Sequence, residues 1–210
     1  WKNILQGYLA SVSFVDHYIG KVLNALEQSK HAKNTIIVLW SDHGYRLGEK
    51  NTFAKVALWN SATAAPLIYA GPGVPNKKVT TPVELFSIYP TLTDLANLPA
   101  AKNIEAESIY PLIRNPKMKW EKPAIVTWAR NNHAIVTKDF RYIHYEDGSE
   151  ELYALKKDPN EWYNLAENKA YVAIKERLAQ FIPKTNAKWA EESKYDNNDY
   201  FIKQKIEQSE

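Results

Sequence analysis

The sequence predicts an α/β fold. A mostly parallel sheet with flanking helices is expected over residues 1–96, and a small subdomain with an antiparallel sheet, a carboxyl-terminal helix and an extended tail over 97–210. Three observations predict it. A long amphipathic pattern is followed directly by a β-branched apolar run without alternation, which is how a strand buried on both faces reads. At Asn97 the texture changes, with Pro99, Pro111, Pro116 and Pro123 punctuating a stretch that has no long periodicity. Beyond it come short strand-like segments separated by turn residues.

In order, Tyr8, Leu9, Val12, Phe14, Val15, Ile19, Val22, Leu23 and Leu26 recur three and four apart, which predicts a helix of about five turns. Asn34 and Thr35 then open Ile36-Ile37-Val38-Leu39-Trp40, the buried strand. A second short apolar run, 66–70, ends in Gly71-Pro72-Gly73, a sharp turn. Leu85, Ile88, Tyr89, Leu92 and Leu95 carry helical spacing, interrupted by Pro90. Strands are expected at 124–128, 134–137, 140–145 and 151–153, with Asp147-Gly148 turning the chain before the last. Tyr171, Ile174, Leu178 and Phe181 predict a final helix, and the polar stretch from residue 184 onward reads as a tail.

Composition narrows the function. With 45% hydrophobic and 24% charged residues in 210, the chain has the balance of a folded domain and not of a disordered one. Its basic residues, 27 against 24 acidic, are dispersed, so nucleic acid binding is not expected. No apolar run approaches the roughly 20 residues a membrane span requires. Cysteine is absent, which excludes disulfides, cysteine–zinc sites and a cysteine nucleophile within these residues. Tryptophan at position 1 and the lack of a leader pattern read as a chain that continues upstream.

The chemistry concentrates directly after the buried strand, in Ser41-Asp42-His43-Gly44-Tyr45-Arg46-Leu47-Gly48-Glu49. In open parallel sheets the ligand crevice lies at the carboxyl ends of strands. Asp42 offers a hard oxygen and His43 a neutral nitrogen, a pair suited to a divalent cation. The same dipeptide also fits a strand-end turn in which Asp42 caps nearby amides. Lys55, among Phe53, Ala54, Val56 and Leu58, suits an anionic oxygen as a compact point charge, or stands as a solvated surface group.

Taken together, four stretches resemble the carboxyl-terminal part of the type I sulfatases, the formylglycine-dependent branch of the alkaline phosphatase superfamily, and most of all its bacterial iduronate-2-sulfatase-like and choline-sulfatase-like members. They are 8–16; 38–50 with its Ser-Asp-His-Gly; Ala62-Thr63 with Pro66-Leu67-Ile68; and 140–165, from Phe140-Arg141-Tyr142-Ile143 through Asp147-Gly148 to Asp158-Pro159-Asn160-Glu161 and Asn164-Leu165. The resemblance covers about residues 7–182. It implies an alkaline-phosphatase-like fold and hydrolysis of a sulfate ester, with a sulfated saccharide or small molecule as substrate. It further implies Asp42 and His43 as calcium ligands, Lys55 on the sulfate and His133 facing the substrate pocket. His17, His31 and His144 have no such placement.

This sequence departs from the subgroup at Ala64 and Val136, where arginine is common, at Phe53-Ala54, where Trp-Arg is common, and at His144, where arginine is common. Loss of those partners would alter substrate preference. No serine here begins the Cys/Ser-x-Pro/Ala-x-Arg stretch that becomes formylglycine, and two ligands cannot complete a calcium shell of six to eight. The resemblance therefore implies an amino-terminal half that supplies the nucleophile and the remaining ligands, a chain inactive by itself, and a periplasmic or extracellular setting. The alternatives are a phosphodiesterase or phosphonate hydrolase of the same superfamily, and a non-catalytic sulfatase-like binding module.

Overall fold

A computed structural model describes residues 1–99 and 102–188. The part of the expected tail from residue 189 onward lies outside the described residues. The first compact unit is Trp1–Ala124, and the second begins at Ile125.

The amphipathic pattern forms one long helix, α1 (Lys2–Glu27), which includes the turn before Tyr8 as well. None of its residues is buried, and Ile4, Leu9, Val12, Phe14, Val15 and Val22 stand exposed along it. No helix among the described residues is long and apolar enough to cross a membrane. Strand β1 (Ile37–Trp40) forms where expected, but none of its residues is buried and Trp40 is half exposed, which corrects the expectation of burial on both faces; it pairs with β4 (Leu67–Ala70) in the register Ile37↔Ala70 to Trp40↔Leu67. Between them lie a two-stranded hairpin, β2 (Arg46–Leu47) with β3 (Phe53–Ala54), and the one-turn helix α2 (Asn60–Thr63).

The β1–β4 pair is antiparallel, which corrects the expectation of parallel strands for the part of the sheet this chain supplies. A parallel neighbour needs a crossover long enough to carry the chain back along the strand, usually a helix of several turns. Between Trp40 and Leu67 the only α-helix is α2, with four residues. The chain therefore reverses, and β4 runs back beside β1.

Helix α3 (Ile88–Leu95) extends a 3-10 turn at 85–87, and α4 (Tyr110–Arg114) lies beyond it. Thr91, fully buried, ties the two: its hydroxyl donates to the Ser87 carbonyl at 2.6 Å and accepts from the Ile109 amide at 3.0 Å. Ile109, Leu112 and Ile113 form a buried cluster against which Leu67 and Tyr69 of β4 and Leu95 of α3 pack. Burial of one such aliphatic side chain contributes about 1.5–3 kcal/mol. For that reason residues 97–124 pack with the first unit, and compactness divides the chain after Ala124, not at 96/97 where the texture of the sequence changes.

The second unit is a four-stranded sheet in the order β5-β6-β7-β8, with β5 Ala124–Thr127, β6 His133–Val136, β7 Phe140–His144 and β8 Glu150–Ala154. The β6–β7 and β7–β8 pairs are antiparallel. One face, with Ile135, Tyr142 and Leu152, is covered by Ala166 and by Leu178 of helix α5 (Val172–Ala179). On the other face Arg141 of β7 meets Glu161 at 2.6 Å, both side chains 2% exposed. Glu161 sits in the left-handed region at φ 59°, in the loop after β8. Asp158 secures that loop by accepting the Trp162 and Tyr163 amides at 3.0 and 2.8 Å.

Removing one member of a buried pair strands the other charge away from water. Glu161→Gln is expected to lower the unfolding free energy of the chain by about 3–5 kcal/mol in urea titration, and a loss below about 1 kcal/mol would show that the pair does not hold the loop.

Candidate functional site

The residues after β1 leave the β1–β4 ladder but stay fixed. The Ser41 amide still donates to the Pro66 carbonyl at 3.3 Å, and the Ser41 hydroxyl donates to the His43 carbonyl at 3.0 Å. Gly44 then donates its amide to Ala62 of α2 at 2.8 Å. A Cβ at Gly44 would stand 2.3 Å from the Ser61 carbonyl oxygen and 2.7 Å from that of Ala64, so only glycine lets α2 come this close. Strand end and helix together hold Asp42 and His43 between them.

Asp42 accepts the His43 amide through Oδ1 at 3.1 Å and leaves Oδ2 on a side chain 74% exposed. His43 Nδ1 lies 2.7 Å from the Gly44 carbonyl oxygen. A carbonyl only accepts, so Nδ1 carries the proton and Nε2 of the neutral ring is left as the electron-pair donor. That Nε2 stands 3.5 Å from Asp42 Oδ2. Two adjacent ligands each about 2.4 Å from a calcium ion are separated by about 3.4 Å. The donor set and its spacing therefore fit a divalent cation as one edge of its shell. Among the described residues no cluster of three His, Cys, Asp or Glu side chains that could hold a metal ion is present.

Lys55 returns to this place through the β2–β3 hairpin. Arg46 pairs with Ala54 and Leu47 with Phe53, and Lys55 comes directly after the end of β3. Lys55 itself is exposed. Beneath it Leu58 and Ala62 are buried and anchor the loop.

His133 belongs to the second unit. It opens β6, where a loop position was the expectation, and is 2% exposed. Its Nδ1 is 2.9 Å from the Thr127 hydroxyl of β5. No described side chain meets Nε2 at hydrogen-bonding geometry, although the Asn186 amide is near enough to favour the protonated ring. Burial dominates and pushes the His133 pKa below its ordinary 6.5, and His144 on β7 adds to the effect. His144 is the direct cross-strand partner of His133 and, on its other side, of Glu150 on β8. Glu150 in turn pairs with Lys175 of α5 at 2.6 Å. Sequence reasoning set His144 aside and did not single out Glu150, since only the register places them in one row.

The family model described as Sulfatase matches residues 2–98. A protein named Sulfatase from Formosa agariphila is 54% identical over 98% of this chain and 41% of its own length. The chain carries a sulfatase-family domain. An N-acetylglucosamine-6-O-sulfatase of Bacteroides thetaiotaomicron is 31% identical to this sulfatase-family chain over 90% of it and 37% of the relative. A solved structure of a protein in complex with its substrate D-glucosamine-2-N,6-O-disulfate aligns with TM-score 0.70 and 29% identity over 83% of this chain and 38% of that one. The chain thus spans about two fifths of the length of these relatives. These structural neighbours support the mixed α/β architecture with antiparallel sheets described above.

The depressed pKa of His133 makes the folded chain bind its proton at lower pH than the unfolded one. The stability this group contributes is complete above the ordinary value of 6.5 and is lost as pH falls through the folded value. Urea midpoints measured at about pH 7.5 and about pH 5 are expected to differ more for the native chain than for His133→Gln, whose side chain does not titrate. Equal differences would mean that His133 does not carry the pH dependence.

Proposed function

We propose that the chain is the carboxyl-terminal part of a calcium-dependent sulfatase that hydrolyses a sulfate ester of a saccharide in the periplasm or outside the cell. The observation that carries this reading is the Asp42–His43 pair after β1, whose Oδ2 and Nε2 stand 3.5 Å apart, with Lys55 directly after β3 of the hairpin that follows. Asp42 Oδ2 and His43 Nε2 would hold the cation. When bound, it supplies positive charge where the sulfate oxygens gain negative charge. Lys55 places a second positive charge toward one of those oxygens and orients the ester. His133, which the resemblance sets facing the substrate pocket, is proposed as a further substrate-facing group.

The nucleophile, a formylglycine, and the other cation ligands would come from an amino-terminal part of the fold, without which the chain is inactive. The exposed apolar side chains of α1 support such a covering part, as does the two-fifths span of the relatives. A sulfated sugar as substrate is supported by the relative named for N-acetylglucosamine 6-O-sulfate and by the neighbour bound to a disulfated glucosamine.

With the complete protein and a nitrophenyl sulfate ester, Lys55→Ala is expected to lower kcat/KM about 10²–10³-fold, as loss of a single stabilising donor does. Asp42→Asn is expected to raise the calcium concentration needed for half-maximal rate. Sulfate release that survives chelation and is unchanged by Asp42→Asn would overturn the calcium assignment. Peptide mass spectrometry of the amino-terminal part, finding no aldehyde in place of a Cys or Ser side chain, would overturn the formylglycine.

A further inference from the structure

Arg46 opens β2, three residues past His43, and is 6% exposed. A surface lysine or arginine of a hairpin normally points into water. This one turns inward and spends its donors on the loop that follows. Its Nε donates to the Ala54 carbonyl at 3.1 Å, and Nη2 donates to the carbonyls of Phe53 at 3.1 Å and Val56 at 2.9 Å. Nη1 donates to the Thr52 hydroxyl. The Trp59 ring lies 5.7 Å from the guanidinium carbon.

The acceptors bracket a single residue. Ala54 and Val56 are the neighbours of Lys55 on either side, and both of their carbonyls are held by one rigid fork. Ala54 is also in the left-handed region, at φ 73°, which a residue with a Cβ keeps only where its surroundings impose it. Arg46 is what imposes it here, through the bond to the Ala54 carbonyl. The planar guanidinium reaches several acceptors in fixed directions, whereas a lysine ammonium could not span them.

We propose that Arg46 is a positioning residue for Lys55: it fixes the carbonyls of Ala54 and Val56 and so sets where the Lys55 ammonium stands. Buried beneath the loop, Arg46 acts through Lys55 and not on substrate. The proposal rests on the reading of Lys55 as the group that binds a sulfate oxygen.

The test compares four forms of the complete protein, native, Arg46→Met, Lys55→Ala and the double variant, with a nitrophenyl sulfate ester as probe. Arg46→Met is expected to lower kcat/KM up to about 100-fold, the effect of a misplacement on the order of 1 Å. In the Lys55→Ala background the same change is expected to cost less than about 2-fold, because the residue it acts through is gone. Arg46→Lys is expected not to restore the rate. An equal loss in both backgrounds would overturn the proposal, since Arg46 would then support the fold in general. If Lys55→Ala alone leaves the rate unchanged, the sulfate reading of Lys55 falls instead. Hydrogen exchange then decides the positioning itself. The Ala57 amide, which donates to the Lys55 carbonyl at 3.0 Å, is expected to exchange faster in Arg46→Met, or in Arg46→Lys if the methionine form does not fold. Unchanged exchange there would overturn the proposal.

Discussion

Where β1 ends, its backbone can no longer be satisfied by β4, yet the next residues must stay at the strand's carboxyl end without leaving buried amides and carbonyls unmet. The chain meets this constraint with three short-range substitutions: the Ser41 hydroxyl on the His43 carbonyl, the Gly44 amide on Ala62, and the His43 ring on the Gly44 carbonyl. Each bond satisfies backbone and orients a functional group at the same time. The ring bond leaves Nε2 as the free electron pair, and the Gly44 contact brings α2 under the turn.

The same logic extends into the hairpin. Lys50, Asn51 and Ala54 all adopt positive φ, a set of conformations that residues with a Cβ avoid unless held. The Arg46 fork and the short register of β2 and β3 hold two ends of that segment, and Lys50 adds its ammonium 4.7 Å over the Trp59 ring. In the second unit the device differs. There a buried Arg141–Glu161 pair fixes the loop after β8, while on the opposite face the Ile135–Tyr142–Leu152 row takes the helix.

Much of this was legible in the sequence because it repeats a pattern over enough residues. Helix α1, strands β1 and β4, and the four strands from β5 to β8 follow from periodicity and turn chemistry, with strand ends displaced by a residue or two and α1 beginning six residues before Tyr8. The β2–β3 hairpin was not legible, since two residues per strand carry no alternation and its positive-φ positions are not glycines. Arg46 was invisible for a related reason: a lone arginine in a polar loop has the same sequence signature whether it faces water or the backbone carbonyls of three residues. Antiparallel pairing of β1 with β4 could have been read from the absence of a crossover helix between Trp40 and Leu67. The boundary was set by texture, whereas packing of Ile109, Leu112 and Ile113 decides it. Asp42, His43 and Lys55 were carried over by resemblance, and the structure adds the His43 tautomer and the 3.5 Å between His43 Nε2 and Asp42 Oδ2; the row linking His133 to His144 and Glu150 needed the register.

Strand β1 has one neighbour among the described residues, β4, so its other edge presents a row of main-chain donors and acceptors flanked by Val38, Leu39 and the half-exposed Trp40. Such an edge is a template for intermolecular strand addition. When the chain is handled by itself, two copies compete with refolding at a rate that rises with the square of concentration. Recovery from denaturant is then governed by dilution more than by temperature.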